Sequence, residues 1–459
     1  VFLTGVKEAC TGAPDTPMVL LGNFAVEDEW ARGEAGLPAV ATRASAAVAN
    51  RMDEFALLLG GEGDHVVLKA APDPGFLVYL RELGLELPRV LVADVTEPGR
   101  SVSEDVLASP ELLSALRELG DAGARLWPHG MSAVEERICA RTGLAPALPG
   151  AAVAKAVNGK IYSRRVADEL GIRQVRGWEC ETVGALAAAA REASAVLAAG
   201  GRIGVKDAYG VSGKGIAVVD DPARLDRLVR MVTRRAERSG EERVALVVEQ
   251  WAAKATDLTC HFTLARDGSV RFDFVKEALI AQGVSVGHRM PARITPAHRA
   301  TVEEVAHALG KRLAADGYHG VVGVDAMVEQ DGGLLPVVEI NARNNMATYQ
   351  TRLQERFVPD GTVALARQYR LRLREPLAFD DLRTWLDGLL FATGPGSGRG
   401  LLVDGFATVN AAQHAGAPGE PFTGRLHGLV IAGTQAEAEE WDAAVARRLA
   451  ALGTEGETA

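Results

Sequence analysis

Short apolar runs separated by helical stretches fill the first third of the chain. MVLL (18–21), HVVLKA (65–70), RVLVAD (89–94) and ARLWPHG (124–130) lack the polar alternation of a half-exposed strand, so they are expected to be strands buried on both faces. SEDVLASPELLSALRELG (103–120) and SAVEERICARTGL (132–144) carry helical spacing between and after them. Such alternation predicts a parallel sheet covered by helices. The Pro- and Ala-rich LAPALPGAA (144–152) reads as the end of that unit.

The middle of the chain is more regular. NGKIYSRRVADELGI and the alanine-rich TVGALAAAAREASAVLAAGG read as helices, each stopped by glycine. RIGVKD and IAVVDD are strands on either side of a glycine loop, and Asp221-Pro222 opens a helix whose Leu225, Leu228, Val229 and Val232 share one face. VALVVEQW is a strand, and TCHFTLARDGSVRFDFVKEA is an antiparallel hairpin turning at Asp267-Gly268. Thr295 caps a long helix with Pro296 at its first position, and GVVGVDAMVEQDGGLLPVVEINARNN gives two strands joined by QDGG. The last hundred residues look separate: DLRTWLDGLLFATG reads as helix, PGSGRG (395–400) as a lid-like loop, and RLHGLVIAG plus AEAEEWDAAVARRLAALG as strand and helix.

Composition narrows the classes. At 459 residues, two to three domains are expected. A net charge of −10 argues against a nucleic-acid partner, because phosphate contacts need clustered positive charge. No apolar run is long enough for a membrane helix, and Lys7 and Glu8 fall where a signal peptide carries its apolar core, so a cytoplasmic protein is expected. Cys10, Cys139, Cys180 and Cys260 are scattered without metal-site spacing, which reads as incidental reduced thiols.

The strongest chemical signal is VVEINARNN. Glu339, Asn341 and Arg343 alternate, which aims them at one face of a sheet, and Asp325 lies on the strand before the turn. Two carboxylates and an amide oxygen on adjacent strands make a hard-oxygen site suited to magnesium carrying a polyphosphate, with an arginine to stabilise a transferring phosphoryl group. Upstream, VKDAYGVSGKG (205–215) is not a P-loop: Ala208 stands where the first glycine belongs and Gly215 where the hydroxyl belongs. It suits instead a lysine on a strand followed by a glycine loop whose backbone amides fold over phosphates.

The ordered set Lys160, Lys206, GVSGKG, VVEQW, Asp325, Glu339, Asn341 and Arg343 resembles the ATP-grasp superfamily of carboxylate–amine ligases across about residues 150–350. The resemblance implies that Lys160 and Lys206 bind phosphates, and that residues 210–215, including Ser212, Gly213, Lys214 and Gly215, form a mobile loop. It implies that Glu249 meets the adenine amino group, that backbone groups from Gln250 through Trp251 to Ala252 read the ring edge, and that Asp257 holds the ribose hydroxyls. Asp325, Glu339 and Asn341 match the magnesium ligands, and Lys276 is a further candidate for the γ-phosphate. One departure stands out. D-alanine–D-alanine ligases carry an arginine two residues before the first magnesium carboxylate, where this chain has Gly323. Charge at the acyl centre is then expected from Arg343, or from Arg289 and Arg293 in GHRMPARITP, a segment that reads equally as a solvated loop. The whole layout is similar to the pheganomycin-type peptide ligases.

The expected architecture is α/β (α+β). A Rossmann-like pre-ATP-grasp domain would span 1–150, an ATP-grasp domain 151–375 whose halves (151–252 and 253–375) sandwich ATP, and a small α+β domain 376–459. The implied activity uses ATP and Mg²⁺ to activate an amino-acid-like carboxylate as an acyl phosphate. An amino acid or peptide amine then displaces phosphate, in peptide natural-product (antibiotic) biosynthesis. A bicarbonate-using carboxylase of the same superfamily and a non-catalytic nucleotide-binding protein are the alternatives. The oligomeric state is open, a homodimer being compatible. GVSVG (283–287) fits the nucleophile-elbow spacing but lacks its strand-turn-helix context, so Ser285 is discounted as a nucleophile.

Overall fold

The computed structural model describes residues 1–37, 42–210, 215–240, 243–281, 284–392, 398–417 and 419–452. Five parallel strands open the chain: β1 (Met18–Leu21), β2 (His65–Leu68), β3 (Arg89–Val92), β4 (Arg125–Pro128) and β5 (Ala145–Pro146), in the order β3-β2-β1-β4-β5. Alternate residues feed two cores. Met18, Leu20, Val66, Leu68 and Trp127 point one way, and Val19, Leu21, Val67 and Leu126 the other, which is why these runs show no polar alternation. β3 differs from the buried strand expected of RVLVAD: it is the sheet edge, with Val92 39% exposed. Strand order reverses between β1 and β4, and in such sheets ligands gather at the carboxyl ends of the strands at that point. The two ends are tied by the Asn23 side-chain amide, which donates to the Gly130 carbonyl at 2.8 Å.

A second, antiparallel sheet comprises β6 (Gly177–Thr182), β7 (Ile203–Asp207), β8 (Ile216–Val219) and β9 (Arg243–Gln250), ordered β6-β9-β7-β8. Helices Val183–Ala198 and Pro222–Ser239 pack on it through Leu186, Ala193, Leu225 and Val232, and the Asp221 carboxylate caps the second by accepting from Ala223 N–H.

The third sheet is the largest. It contains β10 (Lys254–Leu264), β11 (Val270–Ala281), β12 (Val284–Met290), β13 (Gly320–Glu329), β14 (Leu334–Asn341), β15 (Val363–Leu373), β16 (Gly400–Gly405) and β17 (Phe422–Ala432). Their order is β14-β13-β10-β11-β12-β15-β17-β16, with every pair antiparallel. Helix Pro296–Ala315 covers one face through Leu309 and Leu313 against Leu258 and Phe262. Thr295 caps it as expected, accepting from His298 N–H.

The last hundred residues do not stand apart. β15, β17 and β16 continue the same sheet through the β12–β15 ladder, Gly287↔Arg367 to Met290↔Ala364. Their side chains share a core with the N-terminal unit, where the rings of Phe76 and Tyr79 lie 5.3 and 5.1 Å from Phe379. Helix Phe379–Trp385 takes in only the first five of the described residues of DLRTWLDGLLFATG (381–394), and Gly388 turns the chain with φ 76°. In the expected lid PGSGRG, residues 395–397 lie outside the described residues. Among the described residues no helix is long and apolar enough to cross a membrane, and all four cysteines are unpaired.

Glu54 fastens the N-terminal unit to the end of β16. Its Oε2 accepts from the Phe406 and Ala407 N–H groups, each at 2.7 Å, while Oε1 has no partner among the described residues. Burial pushes its carboxyl up from 4.5 to about 7. A group whose pKa rises on folding stabilises the fold below its unfolded pKa, and that contribution is lost as pH climbs through the folded pKa. Urea titrations between pH 4.5 and pH 7 should therefore show wild type losing on the order of 3 kcal/mol relative to Glu54→Gln.

Candidate active site

Cross-strand pairing puts the expected acidic residues together. Asp325 on β13 lies opposite Glu339 on β14 and opposite Thr259 on β10, and directly paired residues share a face. Asp325 Oδ2 accepts from Asn341 Nδ2 at 3.2 Å, and its Oδ1 accepts from Thr259 Oγ1 at 3.3 Å. Burial, reinforced by the Glu339 charge and opposed by Arg343, pushes the Asp325 carboxyl up to about 7. β14 ends at Asn341, so Arg343 is not on the strand as the alternation implied. Its guanidinium nevertheless returns to the cluster, donating from Nη2 to Asn341 Oδ1 at 3.1 Å.

Lys160, the first residue of helix Lys160–Glu169, crosses to this cluster from the other half of the fold. Its ammonium donates to Glu339 Oε1 at 2.8 Å and to the Gly210 carbonyl at 2.7 Å. Gly215 leads into β8 with φ 74°, and its carbonyl accepts from Asp207 N–H. Ser212, Gly213 and Lys214 lie outside the described residues.

Lys206 on β7 and Glu249 on β9 form a buried pair, Nζ to Oε1 at 2.5 Å, and Arg164 Nη1 reaches Glu249 Oε2 at 3.2 Å. Both carboxylate oxygens of Glu249 are therefore engaged within the protein rather than offered to a base. The Gln250 N–H donates to the Arg176 carbonyl and the Trp251 N–H to the Arg202 carbonyl, while the Trp251 ring lies 5.7 Å from the Lys206 ammonium. Asp257 sits further out, paired with Lys254 at 2.6 Å. Glu249→Gln would leave two buried cations facing a neutral amide. A loss of about 3 kcal/mol or more in urea unfolding is expected, because removing one partner strands the others.

The N-terminal unit adds residues that the motifs did not reveal. Helix Val26–Trp30, which follows β1 at the point where strand order reverses, brings Glu27 to 2.5 Å from Arg343 Nε. Glu27 is 6% exposed, and burial raises its pKa against the pull of Arg343. From the end of β4, the His129 carbonyl accepts from Asn344 N–H at 3.0 Å, and its Nδ1 lies 2.8 Å from the Tyr349 hydroxyl. Glu27, Tyr209, Gly210, Glu339, Asn341 and Arg343 line a pocket of about 10 Å³, room for one water. The strand-order rule was the available signal; Glu27 is otherwise one of three acids in a short surface-like stretch.

Two expected residues fall elsewhere. Arg289 lies on β12 opposite Glu277, hence on the other face of the sheet from Lys276 and Asp325. It pairs with Glu277 at 2.5 Å and with Glu439 of the last helix at 3.4 Å, and Arg293 also holds Glu277, at 2.7 Å. The segment is therefore strand with a buried ion pair as far as Met290 and loop from Pro291, where the Arg293 side chain is 63% exposed, and the Glu277 carboxylate holds both arginines on this other face. Lys276 does share the Asp325 face, opposite Thr259, but is fully buried and donates to the Ala347 carbonyl at 3.1 Å. Gly323 has a steric reason: a Cβ there would come within 2.2 Å of the Asn345 side-chain nitrogen. Ser285 belongs to strand β12, which is no nucleophile elbow.

Residues 52–144 match the Pre ATP-grasp domain family, and residues 150–351 match the ATP-grasp domain family. The chain belongs to the ATP-grasp superfamily. It is 26% identical over 329 residues to the [butirosin acyl-carrier protein]–L-glutamate ligase of Niallia circulans, covering 70% of this chain and 71% of that one. Among solved structures it resembles the carboxyaminoimidazole ribonucleotide synthase of Aspergillus clavatus complexed with ATP, with TM-score 0.52, 14% identity, and 95% and 99% of the two chains covered. It also resembles the biotin carboxylase of Campylobacter jejuni, with TM-score 0.52, 12% identity, and 86% of each chain covered. These two likenesses are of fold alone. With the ATP-grasp family and the ligase homologue together, this ATP-grasp protein is an ATP-dependent ligase.

Proposed function

We propose that the enzyme transfers the γ-phosphoryl group of ATP to a carboxylate, releasing ADP, and that an amine then displaces phosphate from the acyl phosphate. The observation that carries this reading is the Asp325–Glu339–Asn341 cluster, faced by Lys160 across the cleft and flanked by Arg343. A carboxylate oxygen attacks the γ-phosphorus and the bond to ADP breaks; the amine nitrogen then attacks the acyl carbon, and the departing phosphate takes the amine's surplus proton. Both steps need positioning and charge stabilisation more than covalent help. Lys160 and Lys206 supply positive charge along the phosphates. Arg343 supplies it where the phosphoryl group meets the acid. Glu249 holds Lys206 and Arg164 in place, which leaves the backbone near Ala252 and the Trp251 ring to meet the base, and Asp257 the ribose.

The donor set fits magnesium. Among the described residues no group of three or more His, Cys, Asp or Glu side chains is arranged to hold a metal, so Asn341 and the nucleotide's own oxygens must complete the shell of Asp325 and Glu339. When bound, Mg²⁺ would neutralise charge on the polyphosphate.

An amino acid as one substrate is supported by the similar ligase, whose name specifies an acyl-carrier protein and L-glutamate. Peptide natural-product biosynthesis in the cytoplasm is the setting that fits. The test is nucleotide release with bicarbonate alone against a pool of amino acids and peptides. ADP formation only with the pool supports the ligase; bicarbonate-stimulated ADP release without any other acid would make it a carboxylase.

A further inference from the structure

A stretch of the N-terminal unit crosses into the second sheet just beyond helix Val26–Trp30. Ala35 forms a parallel bridge with Val244 of β9, and Ala35 and Leu37, 7% and 6% exposed, join the core of that sheet. Glu34 adds ion pairs to Lys155 at 3.3 Å and to Arg243 at 3.5 Å. The Leu37 carbonyl accepts from Arg235 Nη1 of helix Pro222–Ser239 at 3.2 Å.

The Leu37 N–H donates to Asp207 Oδ1 at 2.7 Å, at the end of β7. Two glycines enclose that carboxylate. A Cβ on Gly36 would come within 2.5 Å of Oδ1, and one on Gly215 within 2.5 Å of Oδ2. Gly36 does not adopt a positive φ, so close approach is what excludes a side chain there. The backbone of Asp207 is engaged as well. Its N–H donates to the Gly215 carbonyl at 2.8 Å, and its carbonyl accepts from Gly210 N–H at 3.3 Å. One residue therefore ties both Gly210 and Gly215 to the N-terminal unit. Lys160 is attached to the same turn, its N–H donating to the Ala208 carbonyl at 3.0 Å and its ammonium to the Gly210 carbonyl. Burial pushes the Asp207 carboxyl up from 3.8, against the Leu37 N–H and the charges of Lys160 and Arg235. A partly buried acid costs stability here that an apolar contact would not. Its hydrogen bonds fix angle as well as distance.

We propose that Asp207 is a positioning residue for the nucleotide. Held between Gly36 and Gly215, it lets the N-terminal unit set where Gly210 and Lys160 meet the phosphates. The proposal rests on the ligase reading, in which Lys160 binds phosphate, and adds a control on that site from a separate unit. The effect passes through the backbone of Gly210 and Gly215 rather than through contact with the nucleotide. The same stretch reaches the reaction centre at its other end, where Glu27 pairs with Arg343. The phosphate and acyl ends of the site thus share one support.

The test is calorimetric titration of the full chain with Mg²⁺ and the β,γ-imido analogue of ATP, beside urea unfolding of each variant. Asp207→Ala should weaken binding about tenfold, the scale of a lost hydrogen bond to a charged group. Gly36→Ala should do the same, because its methyl displaces the carboxylate. The double variant Gly36→Ala/Asp207→Ala should bind no worse than Asp207→Ala, since no carboxylate is left for the methyl to meet. Asp207→Asn keeps an oxygen for the Leu37 N–H and should recover most of the affinity. A contact that only supports the fold would shift the urea midpoints and leave the affinities equal. Equal or tighter binding by Asp207→Ala, additive losses in the double variant, or Asp207→Asn no better than Asp207→Ala would each overturn the proposal and leave the ligase reading in place. If Asp207→Ala does not fold, Gly36→Ala decides, and wild-type affinity in it would overturn the proposal. A wild type that binds no nucleotide would overturn both.

Discussion

Glu339→Gln is expected to lower ADP formation by about a thousandfold while leaving the urea unfolding midpoint near wild type. The carboxylate is one of two anionic donors on the Asp325–Glu339 pair of strands, and it also receives the Lys160 ammonium at 2.8 Å. The amide keeps the shape and can still accept from Lys160, which also retains the Gly210 carbonyl at 2.7 Å. The Lys160 side chain, 6% exposed, loses its anion, but Asp325 loses the like charge opposite it, and the two effects oppose one another. Activity and stability therefore separate at this position. Coupled ADP release and urea titration on the same preparation check the prediction; full ATP consumption by Glu339→Gln would remove Glu339 from the metal site.

Arg343→Met should be nearly as damaging, with turnover falling about a hundredfold to a thousandfold. It differs in also destabilising the fold, because Glu27, 6% exposed and 2.5 Å from Arg343 Nε, would be left buried without its cation. A loss of about 3 kcal/mol or more is expected from breaking such a pair. The double variant Glu27→Gln/Arg343→Met removes both charges and should recover most of that stability, yet none of the activity. Unfolding and ADP assays on the two single variants and the double variant separate the charge needed for phosphoryl transfer from the charge needed for packing. If the double variant regains turnover, Arg343 serves only to hold the N-terminal unit in place.

The parts of this site that the sequence reveals are local. Asp325 and Glu339 face each other because a short turn fixes the register of one hairpin, and period-two alternation then settles which neighbours share the face. Lys160, Lys206 and the glycine loop are recognisable because their order along the chain resembles a known superfamily. The remaining parts depend on register between distant strands. Arg289 and His288 are adjacent in sequence but lie on opposite faces of β12, and only the ladder with β11 assigns them. A shift in that ladder between Leu279 and Ile280 defeats any count along the chain. The C-terminal residues read as separate because their own strand–helix pattern is complete, while the β12–β15 pairing that joins them to the sheet leaves no mark on either strand alone. Glu27 reaches the site through packing between units, where one buried carboxylate in sequence looks like any surface acid.

The most direct test of the central claim is product analysis with Mg·ATP, a pool of amino acids and short peptides, and hydroxylamine as a trap. The account predicts ADP together with a hydroxamate, because hydroxylamine intercepts an acyl phosphate, and the hydroxamate identifies the acid. AMP and pyrophosphate with the same hydroxamate would show adenylation instead and contradict phosphoryl transfer at the Asp325–Glu339 site.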